Sequence, residues 1–329
     1  MTRALQCLPF RAMGTLCLVA ATSEPDDLAA AARALAAARC EVEACERALS
    51  RFDARSDLSR LNRASGAWVE VDSRLGEALV AAVRAREETG GLFDPTILPA
   101  LEAAGYDRSF EYVGEREATP LGDWRAGARV EVDKRSGRAR LQRGASVDLG
   151  GIGKGFASAR ALRAMRASWP ALPGAIVDLG GDIGVWGAPP EGGPWRVDVA
   201  DPRAHHGVAA TLELTGGGVA TSGRDTRRFG PGLQLHHLID PMTGASAVAG
   251  PLAVTVVAEG VAEAEAHATA LAITETDDAR AYLARRPELS GLLIPQFGEP
   301  IAIGGLPLVH ARPRSRIAIN TQKGRFTWH

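Results

Sequence analysis

At 329 residues and 46% hydrophobic content, the chain is long enough for one large domain or two closely joined ones, and apolar enough for a sizeable core, which excludes intrinsic disorder. With 38 basic and 39 acidic residues the net charge is −1, so no overall field draws it to nucleic acid or to an anionic membrane. No stretch approaches the ~18 apolar residues of a membrane span, so no membrane insertion is expected.

The apolar span before Pro9 and Arg11 is too short for the core of a signal sequence, and the chain as given reads as cytoplasmic. Cys7, Cys17, Cys40 and Cys45 lack zinc-ligand spacing and are read as reduced core thiols, with a disulfide as the open alternative. Phe10–Ala21 reads as a strand. Ser23–Asp27, with its acids and Pro25, opens an alanine-rich helix that reaches Leu49. A second helical pattern, Leu75–Glu88, stops at Gly90-Gly91. The alternation in 128–133 and 139–142 predicts two strands about a turn at Lys134–Gly137. A helix over Phe156–Trp169 follows, then strands over Ala175–Val185, Trp195–Val199, Gly207–Ala220, Leu233–Ile239 and Pro251–Val257, and helices over Ala262–Ile273 and Asp277–Arg286. Strands outnumber helices, and helices arrive singly between strand pairs, which favours an α+β architecture over a doubly wound parallel sheet. The Arg/Lys-rich tail, Arg312–His329, reads as a loosely ordered, solvated C-terminus rather than a nucleic-acid arm.

Val147–Ala157 is the most informative stretch, packing an acid, four glycines and a lysine between an apolar run and a helix. Glycines let backbone N–H groups approach phosphate oxygens, and a following helix aims its positive end at the same point. Lys154 can add a mobile point charge, and Asp148 can face a metal or a sugar hydroxyl. The spacing excludes a phosphate-binding Walker loop, because Asp148 holds the place of its first glycine and Gly155 that of its Ser/Thr. The Rossmann glycine pattern is out of register. Further polar clusters stand at element ends: Ser50–Asn62, Thr89–Thr96, Ala220–Gly223 and His237–Gly244. Each also has a plain reading as a cap or turn.

Taken in order, these segments resemble the FAD:protein FMN transferase (ApbE, or flavin transferase) family. Met13-Gly14-Thr15, Ser50-Arg51-Phe52-Asp53, the Ser56–Asn62 run, Gly90–Thr96, Asp148–Gly155, Gly180-Gly181-Asp182, Thr221-Ser222-Gly223, His237–Gly244 and Ala264–Thr269 carry the likeness over about residues 10–305. The resemblance implies an ApbE-like α+β fold with mixed, mostly antiparallel sheets, flanking helices and a nucleotide site in a cleft between two lobes. It implies one such domain over 1–310 and a tail over 311–329. It also implies Mg²⁺-dependent transfer of the FMN moiety of FAD onto a Thr or Ser hydroxyl of an acceptor redox protein, with release of AMP. By motif position, Met13, Phe52, Asp94, Asp148, Gly151, Lys154, Gly181, Asp182, Ser222 and His237 would line the flavin nucleotide site. Phe52 would stack near the flavin ring, where the family often has Tyr. Asp148, Lys154, His237 and Glu265 are the catalytic candidates.

Two metal positions depart from the pattern. The family's helix Asp falls on Glu265, and its loop Ala, which offers a carbonyl, falls on Gly153. Glu265 and Thr269 are i and i+4, so one helical face presents carboxylate and hydroxyl to one ion, with the Gly153 carbonyl as third ligand. Glu adds a methylene, and Mg²⁺ demands near-octahedral geometry at about 2.0–2.1 Å. Two alternatives stay open: an FAD pyrophosphatase yielding FMN and AMP, and a flavin-binding protein that has lost transfer.

Overall fold

The computed structural model describes residues 3–204 and 207–309, and the strands 317–320 and 325–328. β1 (Ala4–Ala12) and β2 (Thr15–Ser23) form a hairpin where the sequence suggested one strand over Phe10–Ala21. Met13 and Gly14 turn the chain at φ 52° and 68°. Positive φ at both central residues suits the twist of a tight hairpin, but Met-Gly is not a usual dipeptide for it, so the turn left no signal. α1 (Leu28–Leu49) buries Ala31, Ala34, Leu35, Ala38, Val42, Cys45 and Ala48, the stripe of an amphipathic helix. Cys40 lies off that stripe and is exposed, so only some of the thiols are core residues as expected. Burial pushes the Cys17 and Cys45 thiols up to about 12.

α2 (Asp57–Arg63) was readable only as a turn; Ser56 caps it by accepting the Ser59 N–H at 3.0 Å. β3 (Val69–Glu70) leads into α3 (Ser73–Glu88), capped by Asp72, and α4 (Leu98–Ala103) follows. β4 (Val130–Asp133) and β5 (Arg138–Leu141) pair about the predicted turn. α5 (Gly153–Ser168) begins inside the glycine run. β6 (Gly174–Leu179) and β7 (Ile183–Gly187) divide the predicted 175–185 strand at Gly180-Gly181. β8 (Trp195–Ala200) pairs with β9 (Val208–Leu214), and β10 (Gly217–Gly223) starts a separate strand within the predicted 207–220 run. The predicted 233–239 strand shrinks to β12 (Leu235–His236), paired with β11 (Arg228–Phe229). β13 (Ala253–Ala258), α6 (Val261–Ala272), α7 (Thr276–Ala284), β14 (Ser290–Ile294) and β15 (Ile301–Ile303) complete the body. In the tail β16 (Ile317–Asn320) and β17 (Arg325–Trp328) pair antiparallel, while residues 310–316, 321–324 and 329 lie outside the described residues.

The central sheet runs β1-β2-β6-β7-β10-β13-β14-β15, with every neighbouring pair antiparallel. One face is covered by helices: Cys17, Val19, Ala175 and Val177 share a core with α1, α3 and α5, and Val254 and Val256 share one with α6. The β8–β9 hairpin covers the other face, where Trp195, Val197 and Leu212 meet Ala20, Ile176 and Val185. Strands buried on both faces need apolar residues at consecutive positions. β6 is buried at all six of its residues, which is why the sequence there shows a continuous apolar run instead of alternation. No described helix is long and apolar enough to cross a membrane.

Candidate functional site

A cleft of about 920 Å³ opens where the β1–β2 turn, the end of α1, the glycine loop, the β6–β7 turn, the end of β10 and α6 converge. Sites for small organic ligands run to roughly 300–1,000 Å³, so this one takes a large ligand. Met13, Phe52, Asp94, Asp148, Gly151, Gly153, Lys154, Gly181, Ser222, His237, Glu265 and Thr269 all line it. Asp182 does not; it is 1% exposed and lies beneath the floor.

The glycine loop is built differently from a phosphate cradle. The Gly150 N–H donates to Asp148 Oδ1 at 2.7 Å, that of Gly153 to the Leu149 carbonyl at 2.7 Å, and that of Gly155 to Glu265 Oε2 at 2.7 Å. Most of its donors are therefore spent inside the protein. The small residues serve close packing: a Cβ on Gly155 would sit 2.5 Å from the Val261 carbonyl oxygen, so α5 and α6 can approach only with glycine there.

Lys154 is no free point charge either. Its ammonium bridges Asp182 and Glu265, lying 2.7 Å from Glu265 Oε1. Burial works against the ammonium, yet the two carboxylates override it and raise its pKa. Burial also raises both acids, Glu265 to about 7 with Asp182 adding to the effect. Nearby, Asp178 is wholly buried; its Oδ1 accepts the Gly181 N–H at 2.8 Å, and its Oδ2 has no partner among the described residues. Its pKa is pushed up to about 7 by burial.

In the same cleft, Asp148 is held by Arg51, whose Nε is 2.8 Å from Oδ2. The Arg51 guanidinium stacks 4.1 Å from the Phe52 ring centre and 4.7 Å from that of Tyr106. Phe52 stays 43% exposed and presents an aromatic surface to the cleft. Asp94 caps the turn at Pro95–Ile97, accepting from the Thr96 N–H at 2.7 Å and hydroxyl at 2.6 Å, while Arg86 meets its Oδ2 at 3.0 Å. Met13 is anchored through its N–H, which donates to Glu46 Oε1 at 2.6 Å.

His237 Nδ1 is buried and has no hydrogen-bond partner among the described residues. Burial, and then the charge of Arg227, hold this imidazole well below its usual pKa, so it is neutral near pH 7. His236 beside it is satisfied by the Ala247 carbonyl at 2.8 Å and belongs to the scaffold. Thr269 Oγ1 lies 3.2 Å from Ser222 Oγ and donates to the Gly151 carbonyl at 3.4 Å. Among the described residues no cluster of three or more His, Cys, Asp or Glu side chains is placed to hold a metal. The oxygens of Glu265, Thr269 and the loop carbonyls are nonetheless hard donors. Mg²⁺ typically takes one or two carboxylates and completes its shell with water and substrate phosphate, and this set fits that chemistry. Arg51 stands inside the Ser50–Asp53 motif, whose spacing does not show its grip on Asp148, and nothing in the local sequence marks Arg227.

An antiparallel sheet with a helical layer, and a nucleotide-sized cleft at the ends of its strands, defines the class of protein to which the chain can be compared. The chain belongs to the ApbE family, whose sequence model matches residues 13–293. It is 28% identical over 306 residues to the FAD:protein FMN transferase of Salmonella typhimurium, covering 90% of this chain and 86% of that one. It is 32% identical over 260 residues to the FAD:protein FMN transferase of Treponema pallidum, covering 73% and 70%. The crystal structure of the ApbE protein of Thermotoga maritima superposes with a TM-score of 0.77 at 28% identity, covering 91% of this chain and 97% of that one.

Proposed function

We propose that this chain is an FAD:protein FMN transferase that passes the FMN moiety of FAD to a Thr or Ser hydroxyl of an acceptor redox protein. The observation that carries the reading is one large cleft into which this ApbE chain brings an aromatic surface at Phe52, the His237 imidazole and the oxygen donors of Glu265 and Thr269. In the reaction the acceptor oxygen attacks the phosphorus on the FMN side of the diphosphate. A P–O bond to the acceptor forms, the bridging P–O bond breaks, and AMP leaves with the bridging oxygen. The hydroxyl proton passes to the His237 imidazole, which is neutral and lines the cleft. Phe52 stacks on the flavin ring, and Met13 and Gly181 shape the walls. Lys154 holds Glu265 and Asp182 in place instead of contacting the ligand.

Mg²⁺ held by Glu265, Thr269 and a loop carbonyl of Gly151 or Gly153 would supply Lewis-acid neutralisation of the diphosphate. Transfer of this kind needs positioning and charge compensation more than a covalent catalyst, in keeping with a cleft that brings no nucleophile and base together among the described residues. The metal assignment is tested by a Mg²⁺ titration of turnover. Glu265→Gln should abolish Mg²⁺-dependent activity, Glu265→Asp should retain or raise it, and Thr269→Ala should raise the Mg²⁺ requirement. A Glu265→Gln enzyme that titrates like the parent would remove α6 from the metal site.

A further inference from the structure

We propose that Arg227 is the residue that anchors the diphosphate of the bound dinucleotide, a role that rests on the transferase reading above. The charges around the cleft call for such a group. Lys154 is answered by two carboxylates, Asp182 and Glu265, and Arg51 is answered by Asp148, so neither offers an uncompensated positive charge to a ligand. A dinucleotide brings two negative charges to its diphosphate, and beside a metal ion on α6 a guanidinium that the protein has not already paired can grip the oxygens the ion leaves free.

The turn after β10 and the first residue of β11 supply three arginines, and their partners separate them. Arg224 is spent on backbone carbonyls, donating to Val248 at 2.8 Å and Gly250 at 2.5 Å. Arg228 donates to the Leu233 carbonyl at 2.8 Å. Arg227 makes no hydrogen bond or ion pair among the described residues, Asp225 in the same turn included, and it lines the cleft. It shares the cleft lining with Lys154 and His237, and its charge helps to keep the His237 imidazole neutral.

The backbone adds an independent mark. Arg227 sits at φ 49°, one of four described non-glycine residues at positive φ, and Met13, another, also lines the cleft. A left-handed arginine costs of order 1 kcal/mol or more, and such strain persists where the surroundings hold a residue for use. A guanidinium suits this use because its planar fork of donors matches two phosphate oxygens at once.

The test is FAD affinity, measured by titration of the purified full chain at 0.1 M and 1 M salt, with the melting temperature of the unliganded protein as fold control. Arg227→Gln should weaken FAD roughly tenfold to a hundredfold at 0.1 M salt, the loss of one charge-assisted contact, and the gap from the parent should shrink at 1 M. Arg227→Gly should lose the same affinity while melting at or above the parent temperature, because glycine relieves the positive φ. Unchanged FAD affinity in both variants, or a loss that ignores salt, overturns the assignment while leaving the transferase reading intact. A parent protein that binds no FAD at all overturns both.

Discussion

The Lys154 ammonium lies 2.7 Å from Glu265 Oε1 and also grips Asp182, so one cation on α5 stands between two buried carboxylates, one on α6 and one at the β6–β7 turn. The arrangement is asymmetric. Lys154→Met leaves two carboxylates facing each other without compensation and should cost roughly 3–5 kcal/mol, the usual penalty for breaking a buried pair. Glu265→Gln removes the surplus negative charge and keeps an oxygen for Lys154, but it turns an amide NH2 toward the Gly155 N–H, so its cost should be about 1–3 kcal/mol, below that of Lys154→Met. Urea unfolding of the two variants checks the order. Equal losses would mean that the cluster is not held by Lys154.

Gly155 should tolerate no side chain. A methyl there would meet the Val261 carbonyl oxygen at 2.5 Å and the Ala262 Cα at 2.9 Å, both backbone atoms that cannot rotate away. Gly155→Ala should destabilise by roughly 1–3 kcal/mol, the range for overpacking, and should disturb the bond from its N–H to Glu265. Gly150→Ala meets only the Asp148 side chain and should cost less. Thermal melts of the pair distinguish a packing role from a phosphate cradle, which would make FAD affinity, not stability, the sensitive quantity.

Asp178 should make stability depend on pH. Burial raises its carboxyl from the ordinary 3.8 to about 7, so the folded state binds more protons than the unfolded one between those values. This contribution is fully present below the unfolded pKa and is lost as pH rises through about 7. The parent should therefore lose several degrees of melting temperature from pH 5 to pH 8 that Asp178→Asn does not lose. Parallel curves for the two proteins would place the titrating group elsewhere.

Phe52 should matter to ligand more than to fold. It is 43% exposed, and its stack on Arg51 and contact with Tyr106 lie at the rim. Phe52→Ala should leave stability within about 1 kcal/mol and weaken FAD by roughly twofold to twelvefold, the worth of one aromatic stack. Phe52→Tyr should bind at least as well as the parent. Fluorescence titration with FAD reads both.

Most of the cleft was legible because its residues lie in short ordered motifs at the ends of elements, where backbone turns put side chains into a common space. Met13, Phe52, Asp94, Lys154, Ser222 and His237 are of this kind. What those groups do was less legible, since spacing does not show partners: the glycine run looked like a phosphate cradle, but its donors turn inward to Asp148, Leu149 and Glu265. Asp182 looked like a ligand contact and lies under the floor instead. Arg227 was invisible because Arg224, Arg227 and Arg228 are alike in sequence and differ only in what surrounds them. Strand boundaries failed where both faces of the sheet are covered, at Gly180-Gly181, and where the hairpin turn is Met13-Gly14.

The most direct measurement incubates the purified protein with FAD, Mg²⁺ and a candidate acceptor domain, and follows AMP release together with the mass of the acceptor. Transfer predicts AMP and covalently bound FMN in equal amounts, on a Thr or Ser of the acceptor, with neither formed when the acceptor hydroxyl is removed. AMP released at the same rate without acceptor, together with free FMN, would contradict transfer and mark the chain as an FAD pyrophosphatase.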